Sequence, residues 1–78
     1  MMLLYDRHIT GKIIRELRIK HGISQEVLSG LAGIARTHLT MTERGNKNAN
    51  VDTLWRIAGA LGLRLSELIR RVEEEIGK

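Results

Sequence analysis

Apolar residues recur at three- and four-residue spacing in five blocks along the 78-residue chain, separated by glycines or polar turns. Ile9, Ile13 or Ile14, and Leu17 form the buried stripe of a first helix. It starts at about Asp6 or Thr10, runs to His21 and stops at Gly22. Ile13 and Ile19 cannot both join the stripe of Ile14 and Leu17, so at least one of them is expected to be partly exposed. In the second block Ser24 is the N-cap, Glu26 puts a negative charge in the first turn, and Val27, Leu28 and Leu31 form the stripe. Gly33 ends this helix by redirecting the chain. The third block runs from about Ala35 to Arg44 with Leu39 facing inward, and Gly45 closes it. Three asparagines and a glycine in GNKNAN (45–50) make the next segment a loop.

Asn50 is the N-cap predicted for a fourth helix, with Asp52 in its first turn and Gly62 as its stop. Its apolar residues are Val51, Leu54, Trp55, Ile57, Ala58 and Leu61, and Trp55 is expected to pack rather than to function. Ser66 is the predicted cap of the fifth helix, about 66–76. Its apolar positions 65, 69, 72 and 76 alternate steps of four and three, the seam spacing of paired helices. Leu65 and Leu68 reach the core on this reading. Ile69, Val72 and Ile76 then need another partner, and a second copy of the chain is the expected one. Glu67 and Arg71, four apart, are expected to support the helix modestly.

The second and third blocks have a distinct geometry. Both are short, and the turn between them is tight and carries a glycine, so the two helices must cross steeply as a helix-turn-helix. With Leu39 inward, Arg36, Thr37, Thr40 and Met41 lie outside. A guanidinium, two hydroxyls and a thioether, with no acid among them, are groups that read base edges in the major groove of DNA. The competing reading is the solvated face of a small helical bundle.

Composition narrows the choice. The length allows one domain that buries roughly 60–65% of its unfolded surface, so help from a partner subunit is expected. There is no cysteine, hence no disulfide and no thiolate metal site. One Trp, one Tyr and no Phe nearly exclude an aromatic platform for single strands. The net charge of +4 is uneven: residues 1–60 hold nine Lys and Arg against five Asp and Glu, and residues 61–78 hold four of each. The basic surplus thus accompanies the helix-turn-helix, as a phosphate partner requires. No apolar run approaches the ~20 residues of a membrane span. The opening MMLLY (1–5) reads as a short apolar arm and lacks the build of a signal peptide. A cytoplasmic protein with no membrane role is expected. His8, His21 and His38 have no metal-ligand spacing, and neither a nucleophilic cysteine nor a glycine-rich phosphate loop is present, so an enzyme, a metal, a cofactor or a small-molecule ligand is not expected. The rival to a DNA-binding regulator is a protein-interaction module such as an antitoxin. Salt separates them, because binding through phosphates weakens steeply with salt.

Taken in order, G-K-I-I-R-E-L-R (11–18), G-I-S-Q-E-V-L (22–28), L-A-G-I (31–34), R-T-H-L (36–39), E-R-G (43–45), T-L-W-R-I-A-G-A-L-G (53–62) and L-S-E-L (65–68) resemble the phage Cro/repressor-like (XRE) helix-turn-helix family. The R-T-H-L and E-R-G-N-K-N pieces look most like the small controller regulators of restriction–modification systems. The resemblance implies an all-α, five-helix, lambda-repressor-like domain that binds a palindromic double-stranded operator as a homodimer. It puts Arg36, Thr37 and Met41 at the bases with Thr40 beside them, and Gln25, Arg44, Asn46 and Lys47 on the DNA backbone. His38 is expected at the surface or facing phosphate. Arg18 and Glu43 match a partly buried ion pair tying the first helix to the recognition helix. Two residues depart from the pattern. Ser29 replaces a small apolar residue. Thr42 replaces an aliphatic anchor, and its hydroxyl must find an acceptor such as a carbonyl one turn back.

Overall fold

The computed structural model describes residues 4–78, so Met1 to Leu3 of the apolar arm lie outside the described residues. Five helices follow in order: α1 (Arg7–Lys20), α2 (Gln25–Ala32), α3 (Arg36–Glu43), α4 (Val51–Ala60) and α5 (Leu65–Ile76). There is no strand among the described residues. The ends follow from local chemistry. Asp6, rather than Thr10, starts α1, its carboxylate accepting from the His8 and Ile9 N–H groups at 2.8 and 3.3 Å. The Ser24 hydroxyl accepts from Val27 N–H, and the Asn50 side chain accepts from Thr53 N–H. Gly33 takes φ 69° and turns α2 into α3.

α1 packs on α3 and α5, α2 on α3 and α4, and α4 on α5. The core they enclose contains Ile14, Leu17, Leu28, Leu39, Leu54, Ile57, Ala58, Leu61, Leu68 and Val72. Ile13 joins it, and Ile19 is left exposed, as the α1 stripe requires.

Several expectations are corrected. Only Leu28 of the α2 triplet enters the core; Val27 and Leu31 are exposed, because α2 meets α3 and α4 with the face that also carries Ser29 and Ala32. Trp55 is 65% exposed rather than packed: α4 buries Leu54, Ile57 and Ala58, which turns Trp55 outward. In α5, Val72 is 2% exposed within the single chain. It shares the core face of Leu68, four residues earlier, so the chain's own core covers it and only Ile69 and Ile76 remain partly open. The cap of α5 is Arg64 and not Ser66. The Glu67 carboxylate reaches back to accept from Arg64 N–H at 3.0 Å, which also explains why it does not pair with Arg71.

Outside the core an open apolar groove of about 800 Å³ runs between α4 and α5, lined by Trp55, Gly59, Leu63, Leu65 and Ile69. Leu4 and Tyr5, both exposed, border a second, smaller recess with Ile69, Val72 and Ile76.

Candidate nucleic-acid interface

α3 carries little apolar material of its own. Leu39 is its one fully buried aliphatic side chain, and Thr42 and Glu43 complete its inner face. Thr42 solves its burial as expected, donating to the His38 carbonyl one turn back at 2.8 Å. Ser29 does the same on α2, donating to Glu26 O at 3.1 Å. Polar and close-packed contacts from other helices supply the rest of the hold on α3.

The strongest of these is the ion pair expected from the resemblance. Arg18 Nε lies 2.8 Å from Glu43 Oε2, and Nη2 lies 3.1 Å from Oε1. The two side chains are 13% and 1% exposed. The third nitrogen of the guanidinium, Nη1, donates to Ile23 O at 3.0 Å, so each of its three nitrogens has a partner. Gln25 joins from the first turn of α2. Its Nε2 donates to Glu43 Oε1 at 3.1 Å, and its Oε1 accepts from the Thr40 hydroxyl at 2.9 Å. A continuous polar chain thus links α1, α2 and the C-terminal half of α3.

A second clamp closes the C-terminal end of α3. A Cβ at Gly11 would overlap the Thr42 and Glu43 carbonyl oxygens, so α1 and α3 touch backbone to backbone there. Arg7 Nε donates to Gly45 O at 2.7 Å. Sequence reasoning did not single out Arg7 or Gly11. The one signal was a glycine inside a helical pattern, which marks a close approach without naming the neighbour.

At its other end α3 is bare. Asp6, Ser24 and Asn50 cap α1, α2 and α4 with side-chain oxygens, but α3 begins at Ala35 with no side-chain cap and no acid in its first turn.

The outer face of α3 holds the expected residues. Arg36, Thr37 and Met41 are exposed, and Thr40 is half-buried against Gln25. Arg44, Asn46 and Lys47 are exposed in the turn that follows. His38 is the exception. The residue is half-buried, and its Nε2 is shielded with no hydrogen-bond partner among the described residues. The imidazole is thus only partly at the surface where it is expected.

The charge of this surface is one-sided. Between Arg36 and Lys47 the chain has one acid, Glu43, and Arg18 neutralises it out of contact with water. What remains open is Arg36, Arg44 and Lys47, all positive.

The comparisons with known proteins agree with this geometry. Residues 14–68 match the helix-turn-helix family model. The HTH-type transcriptional regulator y4dJ of Sinorhizobium fredii is 34% identical over 68 residues, which cover 87% of this chain and 88% of that one. The crystal structure of the restriction–modification controller protein C.AhdI from Aeromonas hydrophila is 35% identical, with a TM-score of 0.78 over 83% of this chain and 98% of that one. The fold also matches the controller protein C.Esp1396I, a tetramer in complex with its 35-base-pair operator, at a TM-score of 0.86 and 23% identity over 96% of this chain and 99% of that one. The chain belongs to the XRE-type helix-turn-helix family of DNA-binding transcriptional regulators, which are not enzymes.

Proposed function

We propose that the chain acts as a homodimer that reads an inverted repeat in double-stranded DNA and controls transcription from it, in the manner of a restriction–modification controller. One observation carries this reading: α3, held by directed contacts, exposes Arg36, Thr37 and Met41, and the one acid between Arg36 and Lys47 is buried in an ion pair. Arg36 is the residue assigned to a guanine, donating to O6 and N7, a contact worth ~1–3 kcal/mol of discrimination. Gln25, Arg44, Asn46 and Lys47 hold phosphates and set the register. The groove at Trp55 and Ile69 supplies the surface for a second copy, which places two α3 helices in successive major grooves about 34 Å apart.

The test is selection of bound duplexes from a random library at near-physiological salt. An enriched inverted repeat with a salt-sensitive affinity supports the reading. In Arg36→Ala the preference for that repeat falls while salt-sensitive, non-specific binding persists. No enrichment by the folded protein transfers the apolar groove to a partner protein and the function to a protein-interaction module.

A further inference from the structure

The hydrogen-bond network behind α3 decides which way the Thr40 hydroxyl points. Glu43, held by two nitrogens of Arg18, presents carboxylate oxygens that accept and do not donate. The Gln25 atom 3.1 Å from Oε1 is therefore the amide nitrogen. The other atom of that amide is an oxygen, so the Thr40 hydroxyl 2.9 Å away must be the donor. Its second neighbour, Arg36 O at 3.0 Å, is also purely an acceptor. A threonine hydroxyl has one hydrogen, and both of these neighbours draw it into the protein. What Thr40 offers outward is a pair of lone pairs and a methyl group. Thr37 differs: among the described residues its hydroxyl makes no hydrogen bond, so it can donate or accept.

We infer that Thr40 is a specificity-determining residue of fixed polarity, accepting a hydrogen bond from the exocyclic amino group of an adenine or cytosine in the major groove. This rests on the DNA-binding reading above. On the strand that Thr40 faces, adenine N6 and cytosine N4 are donors, whereas guanine O6 and thymine O4 are acceptors. An oxygen that has already spent its hydrogen meets the first pair favourably. It sets lone pair against lone pair with the second. Gln25, Glu43 and Arg18 act as positioning residues here, since they fix the amide whose oxygen takes the hydrogen.

Duplex selection is run in parallel on the full wild-type chain, Thr40→Ser and Thr40→Val. Serine keeps the hydroxyl, and valine keeps the shape and methyl groups without it. The wild type and Thr40→Ser are expected to prefer adenine or cytosine at one position of each half-site, and Thr40→Val to lose that preference by roughly fivefold. The enriched duplex is then remade with that one amino group replaced by hydrogen. Wild type and Thr40→Ser lose affinity by a similar factor, and Thr40→Val is indifferent, which closes a double-mutant cycle on the contact. The proposal is overturned if Thr40→Val keeps the wild-type preference, if the base lost is guanine or thymine, or if removing the amino group weakens all three proteins equally. Failure of the folded wild type to enrich any duplex removes the DNA-binding reading and this proposal together, whereas enrichment without coupling removes this proposal alone.

Discussion

Within its eight residues α3 buries one aliphatic side chain, Leu39, whereas α5 anchors itself through Leu68 and Val72 and buries no charged side chain. The two helices are attached by different physics. α3 is fixed by directed contacts: the Arg18–Glu43 pair, the Gln25 amide, the Arg7 bond to Gly45 O and backbone contact at Gly11. Such contacts weaken quickly when a group turns or shifts, so they set orientation as well as attachment. α5 rests on apolar burial, which is non-directional and tolerates small rotations. The helix proposed to meet a fixed pattern of base edges is the one held by geometry. The helix that offers an apolar groove is held by a force that allows adjustment to a partner.

The largest expected effect comes from breaking the directed side. Glu43→Ala leaves the Arg18 guanidinium largely buried without its partner, a loss of ~3–5 kcal/mol. In a domain whose total stability is on the order of 5–10 kcal/mol, that is visible in urea unfolding. A cost under about 1 kcal/mol would show that the ion pair is not what holds α3. The double variant Arg18→Met with Glu43→Leu sharpens the point. It is expected to regain most of the lost stability while DNA selectivity stays impaired, because orientation and stability then part company.

Gly11→Ala comes next. The added Cβ meets two backbone oxygens that cannot swing aside, and overpacking of this kind costs ~1–3 kcal/mol. A thermal midpoint unchanged from wild type would mean that α1 and α3 can part freely.

On the α5 side, Trp55→Ser is expected to alter the stability of the single chain by no more than about 0.5 kcal/mol, since the side chain is mostly exposed. Self-association measured by sedimentation is expected to weaken clearly. If association is unaffected, the groove is not where a second copy sits.

The smallest effect belongs to Lys12 and Glu75, which join α1 to α5 at 3.0 Å on the surface. Hydrogen bonds from Lys12 and then Lys78 hold the Glu75 carboxyl below its ordinary value of 4.5. A lowered carboxyl contributes stability above its unfolded pKa and loses it as pH falls through the folded one. Wild type and Glu75→Gln are therefore expected to differ slightly in melting temperature at neutral pH and to converge in acid. A gap that persists in acid would assign the difference to something other than this pair.

How much of this was legible in the sequence depends on the range of the interaction. Ser24, Asn50 and Gly33 were readable because caps and turns act within a few residues. Leu39 and the outer position of Arg36, Thr37 and Met41 followed from helical period. Trp55 and Val72 were misplaced for one shared reason. Periodicity finds an apolar stripe, but it does not say whether the chain's own core or the outside receives each edge of it. Position 66 looked like a cap because serine is a good one, yet Glu67 folding back to Arg64 moved the start of α5. The Arg18–Glu43 pair came from the family resemblance. Gln25 with Thr40, and Arg7 with Gly45, join residues 15 and 38 positions apart, and nothing local encodes such meetings.

Ala35 has a consequence for how the molecule divides stability from use. A serine or aspartate at the start of a helix is worth about 1 kcal/mol over alanine. This chain takes that gain at Asp6, Ser24 and Asn50 and forgoes it at α5, where Glu67 reaches back to the Arg64 N–H instead, and at α3, the helix proposed for recognition. The first amides of α3, at the positive end of the helix dipole, are left without a side-chain acceptor. No side-chain oxygen accepts from these amides, so an anion approaching them has no cap to displace. The missing cap makes the isolated domain slightly less stable and leaves the amides at the start of α3 chemically unsaturated.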